Sequence, residues 1–380
     1  MNISVDRALE ILSGFPILSN TEVIDLNKAY KRILSEDMNA LVDSPPFDNS
    51  SIDGWAILST DNPSDRQQVE TIFAGDTIPR PLHPGEAFRI MTGAPTPPNA
   101  DALVMVEDGL HGVARDNFIR RKGENISKGM VALEKNTMLT SASLALLSTV
   151  GHSQVPVYSR PKVSIISTGD ELVKPGKILQ PGQIYESNSI LLSSLLQKAG
   201  ASSTIYKSSD NIDSLRELFD QCAKSSDLIL TSGGVSMGDH DFVRRLLIEE
   251  GEPYFWKIKM RPGGPPIFGM WKGTPILGLP GNPVSTHVVF LTLVVPWLSS
   301  PRLFYKKIRV RLKTELKGAQ EKTVFRRLKI HSTDELTATT HTHQGSGNIN
   351  SMVVHDALSI LPPNTTGEVG EIIDALWLID

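Results

Sequence analysis

Two kinds of hydrophobic pattern alternate along the first half of the chain. Residues 4–13 and 25–35 each carry apolar side chains at the spacing of one helical face, so both segments are predicted to be helices. Between about residues 55 and 135 the apolar runs are short and are separated by proline, glycine and asparagine turns, which predicts a small β-rich domain. A further helix is predicted at 141–150, because a glycine follows its last turn.

From residue 161 onwards, short apolar strands alternate with helical stripes. Such alternation predicts an α/β domain with a doubly wound, mostly parallel sheet and helices on both faces, whose ligands bind where the strands end. Beyond about residue 302 the chain becomes β-rich again, which predicts a small terminal β domain. The buried strands of the α/β domain are predicted at 163–167, 204–206, 228–230 and 276–279.

Composition excludes several classes of protein. A net charge of −4 over 380 residues argues against a nucleic-acid partner, since proteins that bind the phosphate backbone usually carry a basic excess. The single cysteine, Cys222, excludes an intrachain disulfide and a cysteine-cluster metal site, and its place in a helical apolar stripe predicts a core residue. No membrane span is expected, because the longest apolar stretch, residues 288–298, is shorter than the about 20 residues that a bilayer requires. The N-terminal residues lack a signal-peptide pattern, and a cytoplasmic location is expected.

The loop at residues 231–241 joins a predicted strand to a predicted helix. A glycine-rich turn between a strand and a helix is how α/β proteins bind phosphate, because glycines let the backbone approach an anion and free N–H groups point at it. The loop ends in two acids, Asp239 and Asp241, and an acid beside a phosphate usually requires a cation such as Mg²⁺. The loop therefore predicts a phosphorylated ligand bound with a metal ion.

Two further loops follow predicted strand ends, at residues 167–171 and 279–285. In a parallel sheet these ends share one edge, so the three loops are predicted to line one crevice. Hydroxyls and glycine N–H groups in them suit phosphate oxygens, while Glu171, Asp210 and Asp241 suit Mg²⁺ or a hydroxyl group. The alternative for each acid is a helix cap or a solvated carboxylate.

A basic segment, residues 257–265, ends in a proline–glycine turn. Strand alternation would place Lys257, Lys259 and Arg261 on one face, where they would form either a clamp for an oxyanion or a solvated edge strand. The neighbouring phosphate-type loops favour the clamp. Residues 45–56 and 89–95 lie outside this domain, and by composition alone both are turns.

Five motifs of the sequence, taken together and in this order, resemble those of the MoeA family of molybdopterin molybdenumtransferases, which is related to the gephyrin E domain. The resemblance runs from the first predicted helix to the terminal β domain. Each motif alone is weak evidence, but five in order are specific. The motifs are PPFDNS (45–50) with DGWA (53–56), RIMTGA (89–94), STGDEL (167–172), SGGVS (232–236) and LPGNPVS (279–285).

The resemblance implies a reaction, the insertion of molybdate into adenylylated molybdopterin with Mg²⁺, which releases AMP and the finished molybdenum cofactor. It also implies an elongated homodimer of four-domain subunits, with each site between the α/β domain of one subunit and the β-rich domain of the other. The implied domains are residues 1–45 with 130–158 (helical linking domain), 46–129 (β-rich), 159–301 (α/β, molybdopterin-binding) and 302–380 (C-terminal β).

The resemblance further assigns roles to individual positions. Residues at family site positions, taken as catalytic, are Asp53, Thr92, Arg120, Glu171, Asp210, Asp241 and Lys257, with Asp53 coming from the partner subunit. The molybdate-binding positions are Arg261, Ser285, Arg327 and Ser351. Mg²⁺ or polar groups of the ligand would be held by Glu171, Asp210 and Asp241. Positions for the pterin and nucleotide are Thr168, Gly169, Asp170, Ser232, Gly233, Gly234, Pro280, Gly281, Asn282 and Pro283.

The chain departs from the family pattern in two segments, at residues 261–265 and at Asn125. Arg261 and Gly264 stand where the family often has lysines, and Asn125 stands where it has an aspartate. Arg261 keeps the charge but replaces a point donor with a planar fork, whereas Gly264 removes a cation. These changes leave the choice between molybdate and tungstate open.

Two other functions remain as alternatives. A molybdopterin adenylyltransferase has a similar α/β domain but resembles that domain alone, so the additional β domains argue against it. A non-catalytic scaffold is the second alternative, because the gephyrin E domain also binds a receptor. For the transferase, an adenylyltransferase that delivers the substrate and molybdoenzymes that receive the cofactor are the expected partners.

Overall fold

The computed structural model describes residues 2–17, 20–209, 211–235, 241–298, 306–332, 335–340 and 343–378. The chain divides into two compact units. Unit 1 comprises Met1–Asn20 with Ser159–Asp380, and unit 2 comprises Thr21–Tyr158. No helix among the described residues is long and apolar enough to cross a membrane.

The helices and strands have the following bounds. The helices are α1 (Val5–Ser13), α2 (Ser141–Thr149), α3 (Asn188–Lys198), α4 (Ile212–Ala223), α5 (Phe242–Glu249), α6 (Pro283–Val289), α7 (Val295–Leu298) and α8 (Asn350–Val353), with a π-helical turn at Phe290–Val294 between α6 and α7. The strands are β1 (Thr21–Asp25), β2 (Met38–Asn39), β3 (Asn49–Ser50), β4 (Gly54–Ile57), β5 (Gln67–Ile72), β6 (Glu86–Ile90), β7 (Ala102–Met105), β8 (Ala114–Arg115), β9 (Ile119–Arg120), β10 (Val131–Leu133), β11 (Gln154–Tyr158), β12 (Lys162–Thr168), β13 (Leu172–Val173), β14 (Ile184–Tyr185), β15 (Ser202–Ser208), β16 (Leu228–Ser232), β17 (Glu252–Trp256), β18 (Met260–Arg261), β19 (Ile267–Trp271), β20 (Thr274–Leu279), β21 (Lys307–Leu312), β22 (Thr323–Val324), β23 (Arg327–Ser332), β24 (Leu336–Thr340), β25 (Ala357–Ser359) and β26 (Ile372–Trp377).

Unit 2 contains a five-stranded sheet of order β5-β6-β4-β7-β8. One core of this sheet packs Phe88 and Ile90 of β6 against Leu103 of β7. The β-rich prediction for this region is therefore confirmed, and so is the helix predicted at 141–150, which is α2.

The helix predicted at 25–35 is wrong. Strand β1, which pairs antiparallel with β11, ends at Asp25, and a single 3-10 turn follows at Leu26–Lys28. Beyond that turn, Ile33 and Leu34 form isolated bridges to Met138 and Val157. The apolar residues that suggested a helix, among them Ala29 and Leu34, pack on Val155 and Val157 of unit 2 without forming one. Pairing with a distant strand has overridden the local period.

The centre of unit 1 is a six-stranded sheet of order β15-β12-β16-β20-β19-β17. Its first four strands pair in parallel, and β19 pairs antiparallel with both β20 and β17, which confirms the mostly parallel prediction. Helices cover both faces: α3 packs Leu192 and Leu196 on one core, and α4 and α5 pack Phe219 and Leu246 on the other. Cys222 belongs to this second core, as predicted, and burial raises the pKa of its thiol.

The C-terminal part of unit 1 closes into a small barrel of order β21-β24-β23-β25-β26. Alternate residues of β21 point inward, and Val310 packs there with Leu328 of β23 and Ala375 of β26. The β-rich prediction for the end of the chain is confirmed. The barrel also places Arg327, the first residue of β23, where its side chain bonds Gly345 and Ser351.

Candidate functional site

Three strands of unit 1 end level at one edge of the sheet. Their register pairs Ser167 with Ser232 and Ser232 with Leu279, so the loops that follow start side by side. The Gly233 N–H donates to the Leu279 carbonyl at 3.1 Å, and a Cβ on Gly233 would lie 3.2 Å from Thr168 Oγ1. These loops carry the predicted phosphate- and pterin-binding residues Thr168, Gly169, Asp170, Ser232, Gly233, Gly234, Pro280, Gly281, Asn282 and Pro283.

Glycine is required at the turn after β16. Gly233 has φ +94° and Gly234 has φ +68°, which is the left-handed region that other residues avoid. A side chain at Gly234 would also contact Val243 of α5 at 3.0 Å. The turn therefore presents backbone rather than side chains to whatever occupies the edge of the sheet.

Asn188, the first residue of α3, joins two of these loops and was not singled out in the sequence. Its Nδ2 donates to Ser232 Oγ at 2.7 Å and to the Gly281 carbonyl at 2.8 Å. The side chain is buried, yet its Oδ1 has no hydrogen-bond partner. From the sequence, Asn188 follows Glu186 and Ser187 at a helix start, where polar residues normally serve as caps.

The structure describes two of the three predicted metal ligands, Glu171 and Asp241. Glu171 is exposed and folds back on its own loop, where its Oε2 lies 2.6 Å from the position of a Cβ on Gly169. Asp241 is partly exposed at the start of α5, and Asp210 lies outside the described residues. Among the residues that the structure describes, no group of three or more His, Cys, Asp or Glu side chains is placed to hold a metal ion.

The basic segment does not form the continuous strand that was predicted. Lys257 has φ +71°, and only Met260–Arg261 is in strand conformation. The cause is a local turn in which the Met260 N–H donates to the Ile258 carbonyl at 2.8 Å. The lysines consequently differ in their contacts: Lys259 pairs with Glu321 at 3.0 Å, whereas Lys257 lies over the Trp256 ring.

Arg327 is a buried cation on β23. Its Nε donates to Ser351 Oγ at 3.0 Å, and its Nη2 donates to the Gly345 carbonyl at 3.2 Å. Burial, with a smaller contribution from the neighbouring charge of Arg326, lowers the pKa of Arg327 to about 10, so the group is still charged at neutral pH. No carboxylate of a described residue pairs with it. A buried charge without a counter-ion is costly, and an anionic ligand would remove that cost.

Backbone contacts bring the other two predicted molybdate positions to the same part of unit 1. The Val284 N–H donates to the Ser346 carbonyl at 3.1 Å, which joins the start of α6 to the loop that contacts Arg327. Ser285 is buried, and its carbonyl oxygen would lie 3.4 Å from a Cβ on Gly263, two residues after Arg261. The four segments that carry Arg261, Ser285, Arg327 and Ser351 are thus neighbours.

In unit 2, Asp53 and Thr92 form one hydrogen-bonded pair. Asp53 Oδ1 accepts from the Thr92 N–H at 2.7 Å and from Thr92 Oγ1 at 2.9 Å. These two bonds, with a contribution from the charge of Arg89, hold the pKa of Asp53 below its usual value. The next residue must be small, because a Cβ on Gly54 would lie 1.9 Å from the Val104 carbonyl oxygen.

Arg120 lies close to this pair through strand β3. Asn49 of β3 pairs with Arg120 of β9, while Ser50 exchanges backbone hydrogen bonds with Gly93 and Ala94, directly after Thr92. The Arg120 side chain is exposed. The three family positions of unit 2 therefore lie on adjacent segments, although they are far apart in sequence.

Three family descriptions match consecutive parts of the chain. Residues 3–151 match the MoeA N-terminal region (domain I and II), and residues 164–300 match a probable molybdopterin binding domain. Residues 309–378 match the MoeA C-terminal region (domain IV).

Relatives of known name are similar over most of their length. The chain is 33% identical to a molybdopterin molybdenumtransferase of Bacillus subtilis, which covers 99% of this chain and 94% of that protein. It is 38% identical to a molybdopterin molybdenumtransferase of Haemophilus influenzae, over 78% of this chain and 77% of that one. A crystal structure of a molybdopterin biosynthesis MoeA protein from Pyrococcus horikosii superposes with a TM-score of 0.83 at 30% identity and covers 99% of both chains.

Proposed function

The chain belongs to the MoeA family of molybdopterin molybdenumtransferases, enzymes of molybdenum cofactor biosynthesis, and from that premise we propose that it inserts molybdate into adenylylated molybdopterin. The reaction is Mg²⁺-dependent and releases AMP together with the finished cofactor. The reaction takes place in the cytoplasm. A molybdopterin adenylyltransferase supplies its substrate, and molybdoenzymes receive its product.

The observation that supports this reaction best is the environment of Arg327. Molybdate is a dianion with four oxygens, and it needs donors that are already charged and already fixed in position. The Arg327 guanidinium is buried, is oriented by Ser351 and Gly345, and has no carboxylate partner among the described residues. Ser285 and Arg261, on neighbouring segments, add a hydroxyl group and a second cation.

The loops at the sheet edge support the binding of the large organic substrate. Left-handed glycines 233 and 234 let phosphate oxygens approach the backbone, and Thr168 and Ser232 offer hydroxyl groups beside them. Carboxylates such as Glu171 and Asp241 are the hard oxygen ligands that Mg²⁺ prefers, and when bound the ion would neutralise phosphate charge. Asp210 would complete this set.

The proposal includes a homodimer in which Asp53 of the partner subunit completes each site. Asp53 is exposed and is held in its ionised form by Thr92, so it is available to a neighbouring molecule. Arg120, on an adjacent segment, would accompany it.

The reaction is tested with purified protein, adenylylated molybdopterin, Mg²⁺ and molybdate. We expect AMP release together with reconstitution of a cofactor-free molybdoenzyme, and a parallel series with tungstate would determine the preferred oxyanion. Consumption of ATP with unmodified molybdopterin would instead identify an adenylyltransferase. Substrate binding without AMP release or reconstitution, at any oxyanion or metal concentration, would refute insertion and favour a scaffold.

A further inference from the structure

Two cations lie on one indole ring in unit 1. The guanidinium carbon of Arg244 lies 3.8 Å from the centre of the Trp256 ring, and Nζ of Lys257 lies 4.4 Å from the same centre. A cation over the face of tryptophan is attracted by the negative charge of the ring face, which partly offsets the loss of water around the cation. Both positive groups are thereby held against one ring, although like charges repel each other.

This pair of cations is attached to the glycine-rich loop after β16. Trp256 Nε1 donates to the Val235 carbonyl at 3.4 Å, and the Arg244 N–H donates to the Gly234 carbonyl at 3.2 Å. The left-handed conformation of Lys257, with φ +71°, is unfavourable for a lysine and coincides with the place where its side chain lies over the ring. The cations and the loop therefore belong to one arrangement.

Arg244 has one buried side-chain donor that no described residue accepts from. Its Nε is buried and has no hydrogen-bond partner, and none of the described carboxylates pairs with its guanidinium. The next residue, Arg245, shows the ordinary surface alternative: its side chain is 57% exposed and pairs with Glu249 at 2.9 Å. A buried donor that lacks an acceptor costs stability unless a ligand supplies one.

We propose that Arg244 and Lys257, positioned by Trp256, form a phosphate subsite beside the glycine-rich loop. Arginine offers a planar fork that matches two oxygens of a phosphate, and lysine adds a point charge from a second direction. This inference rests on the proposed function, because adenylylated molybdopterin carries both an adenylyl phosphate and a phosphate on the pterin side. The subsite binds one of these two groups.

Calorimetric titration of the full chain with AMP and, separately, with molybdopterin tests the subsite without requiring molybdate or turnover. We expect Arg244→Ala to weaken the binding of one ligand at least about tenfold, and the affected ligand identifies which phosphate is bound. Arg244→Lys should lose less, because it keeps the charge. The matched control is Arg245→Ala, which should bind both ligands within about twofold of the original chain.

The indole gives a second readout. Ligand binding should change tryptophan fluorescence, and Trp256→Phe should abolish that change while the other four tryptophans remain. Unchanged affinity of Arg244→Ala and Arg244→Lys for both ligands would overturn the subsite, and so would a failure of the original chain to bind either ligand. If binding behaves as expected but no AMP is released in the insertion assay, the subsite stands and the proposed reaction fails.

Discussion

At the scale of single residues, Arg327 shows how burial makes a positive charge available to an anionic ligand. In the sequence it is one of 38 basic residues, and nothing local distinguishes it from its neighbour Arg326. In the structure Arg326 donates to the Lys317 carbonyl near the surface, whereas Arg327 is fully buried and bonded to Ser351. Only the second arrangement leaves a desolvated positive charge that an oxyanion can neutralise.

Replacing Arg327 by lysine tests this difference. The variant keeps the charge but loses the planar fork and the bond from Nε to Ser351 Oγ, so we expect kcat/KM for molybdate to fall by about 100-fold. Steady-state AMP release at a range of molybdate concentrations measures the effect. The control is Arg326→Lys, which should retain most of its activity. An equal fall in kcat/KM for both variants would contradict a specific role of Arg327 in molybdate binding.

At the scale of elements, helix α3 connects two loops that come from different strands. Asn188 donates one hydrogen bond to each of them, at Ser232 and at Gly281. This side chain therefore adds a second link between the loops after β16 and β20, beside the hydrogen bond from Gly233 N–H to the Leu279 carbonyl. A helix that simply filled space on the sheet would not need a buried asparagine at its first residue.

We expect Asn188→Ala to loosen these loops. Loss of two buried hydrogen bonds should lower the free energy of unfolding by about 2 kcal/mol and raise KM for adenylylated molybdopterin more than it lowers kcat. Hydrogen exchange at residues 232–234 and 279–281 should become faster. In the matched control, Ser193→Ala removes a bond of the same helix to Ser203 and leaves the loops alone. Equally fast exchange of residues 232–234 and 279–281 in that control would contradict the role of Asn188 in holding the loops.

Helix α6 carries a buried histidine, His287, two residues after Ser285. Burial, helped by the positive charge of Lys198, lowers the pKa of His287 to about 4 from its usual 6.5, and its Nδ1 is buried without a partner. Because the folded protein favours the neutral imidazole, His287 does not lower the free energy of unfolding above pH 6.5. Stability is lost as the pH falls from 6.5 towards 4, where the folded protein must also accept the proton.

His287→Leu should remove that dependence on pH. Between pH 7 and pH 4 the original chain should lose up to about 3 kcal/mol more stability than the variant, since each unit of pKa shift corresponds to about 1.4 kcal/mol. Urea unfolding of unit 1 at several pH values measures the difference. Parallel losses in both proteins would assign the acid sensitivity to other groups.

At the scale of the whole molecule, the family positions fall in two units of the chain. Asp53, Thr92 and Arg120 lie in unit 2, whereas the loops of the sheet edge, Lys257 and the Arg327 group lie in unit 1. The homodimer proposed above would combine both sets in one shared site. Closed two-fold symmetry would then create two equal sites from each pair of subunits.

Mixing two inactive variants tests this arrangement. If Asp53 acts on the other subunit, a dimer of an Asp53→Ala chain with an Arg327→Ala chain contains one intact site and one doubly defective site. Random exchange of subunits should then restore about a quarter of the original AMP release. Sedimentation measurements on the mixture confirm that it contains dimers. A mixture of exchanged dimers that stays inactive would place Asp53 and Arg327 of one subunit in the same site.

The sequence by itself determined the alternation of strands and helices, the glycine loops at the strand ends and the family to which the chain belongs. Periodicity and turn residues are local properties, and the five ordered motifs require no coordinates. Predictions that depended on contacts between distant segments were less successful. Residues 25–35 form a 3-10 turn and two isolated bridges, from Ile33 to Met138 and from Leu34 to Val157, instead of a helix. The segment around Lys257 turns where an extended strand was expected.

Only the tertiary structure decided which polar residues are buried together. The sequence analysis did not single out Asn188 or Arg244, and it assigned Arg327 to molybdate only through the family resemblance. Their burial follows from sheet register and from the closure of the barrel, which bring segments more than 100 residues apart in sequence to one edge of unit 1. The energetic cost of an unpaired buried donor or charge arises only in that setting, and the ligands that we propose for them follow from that cost.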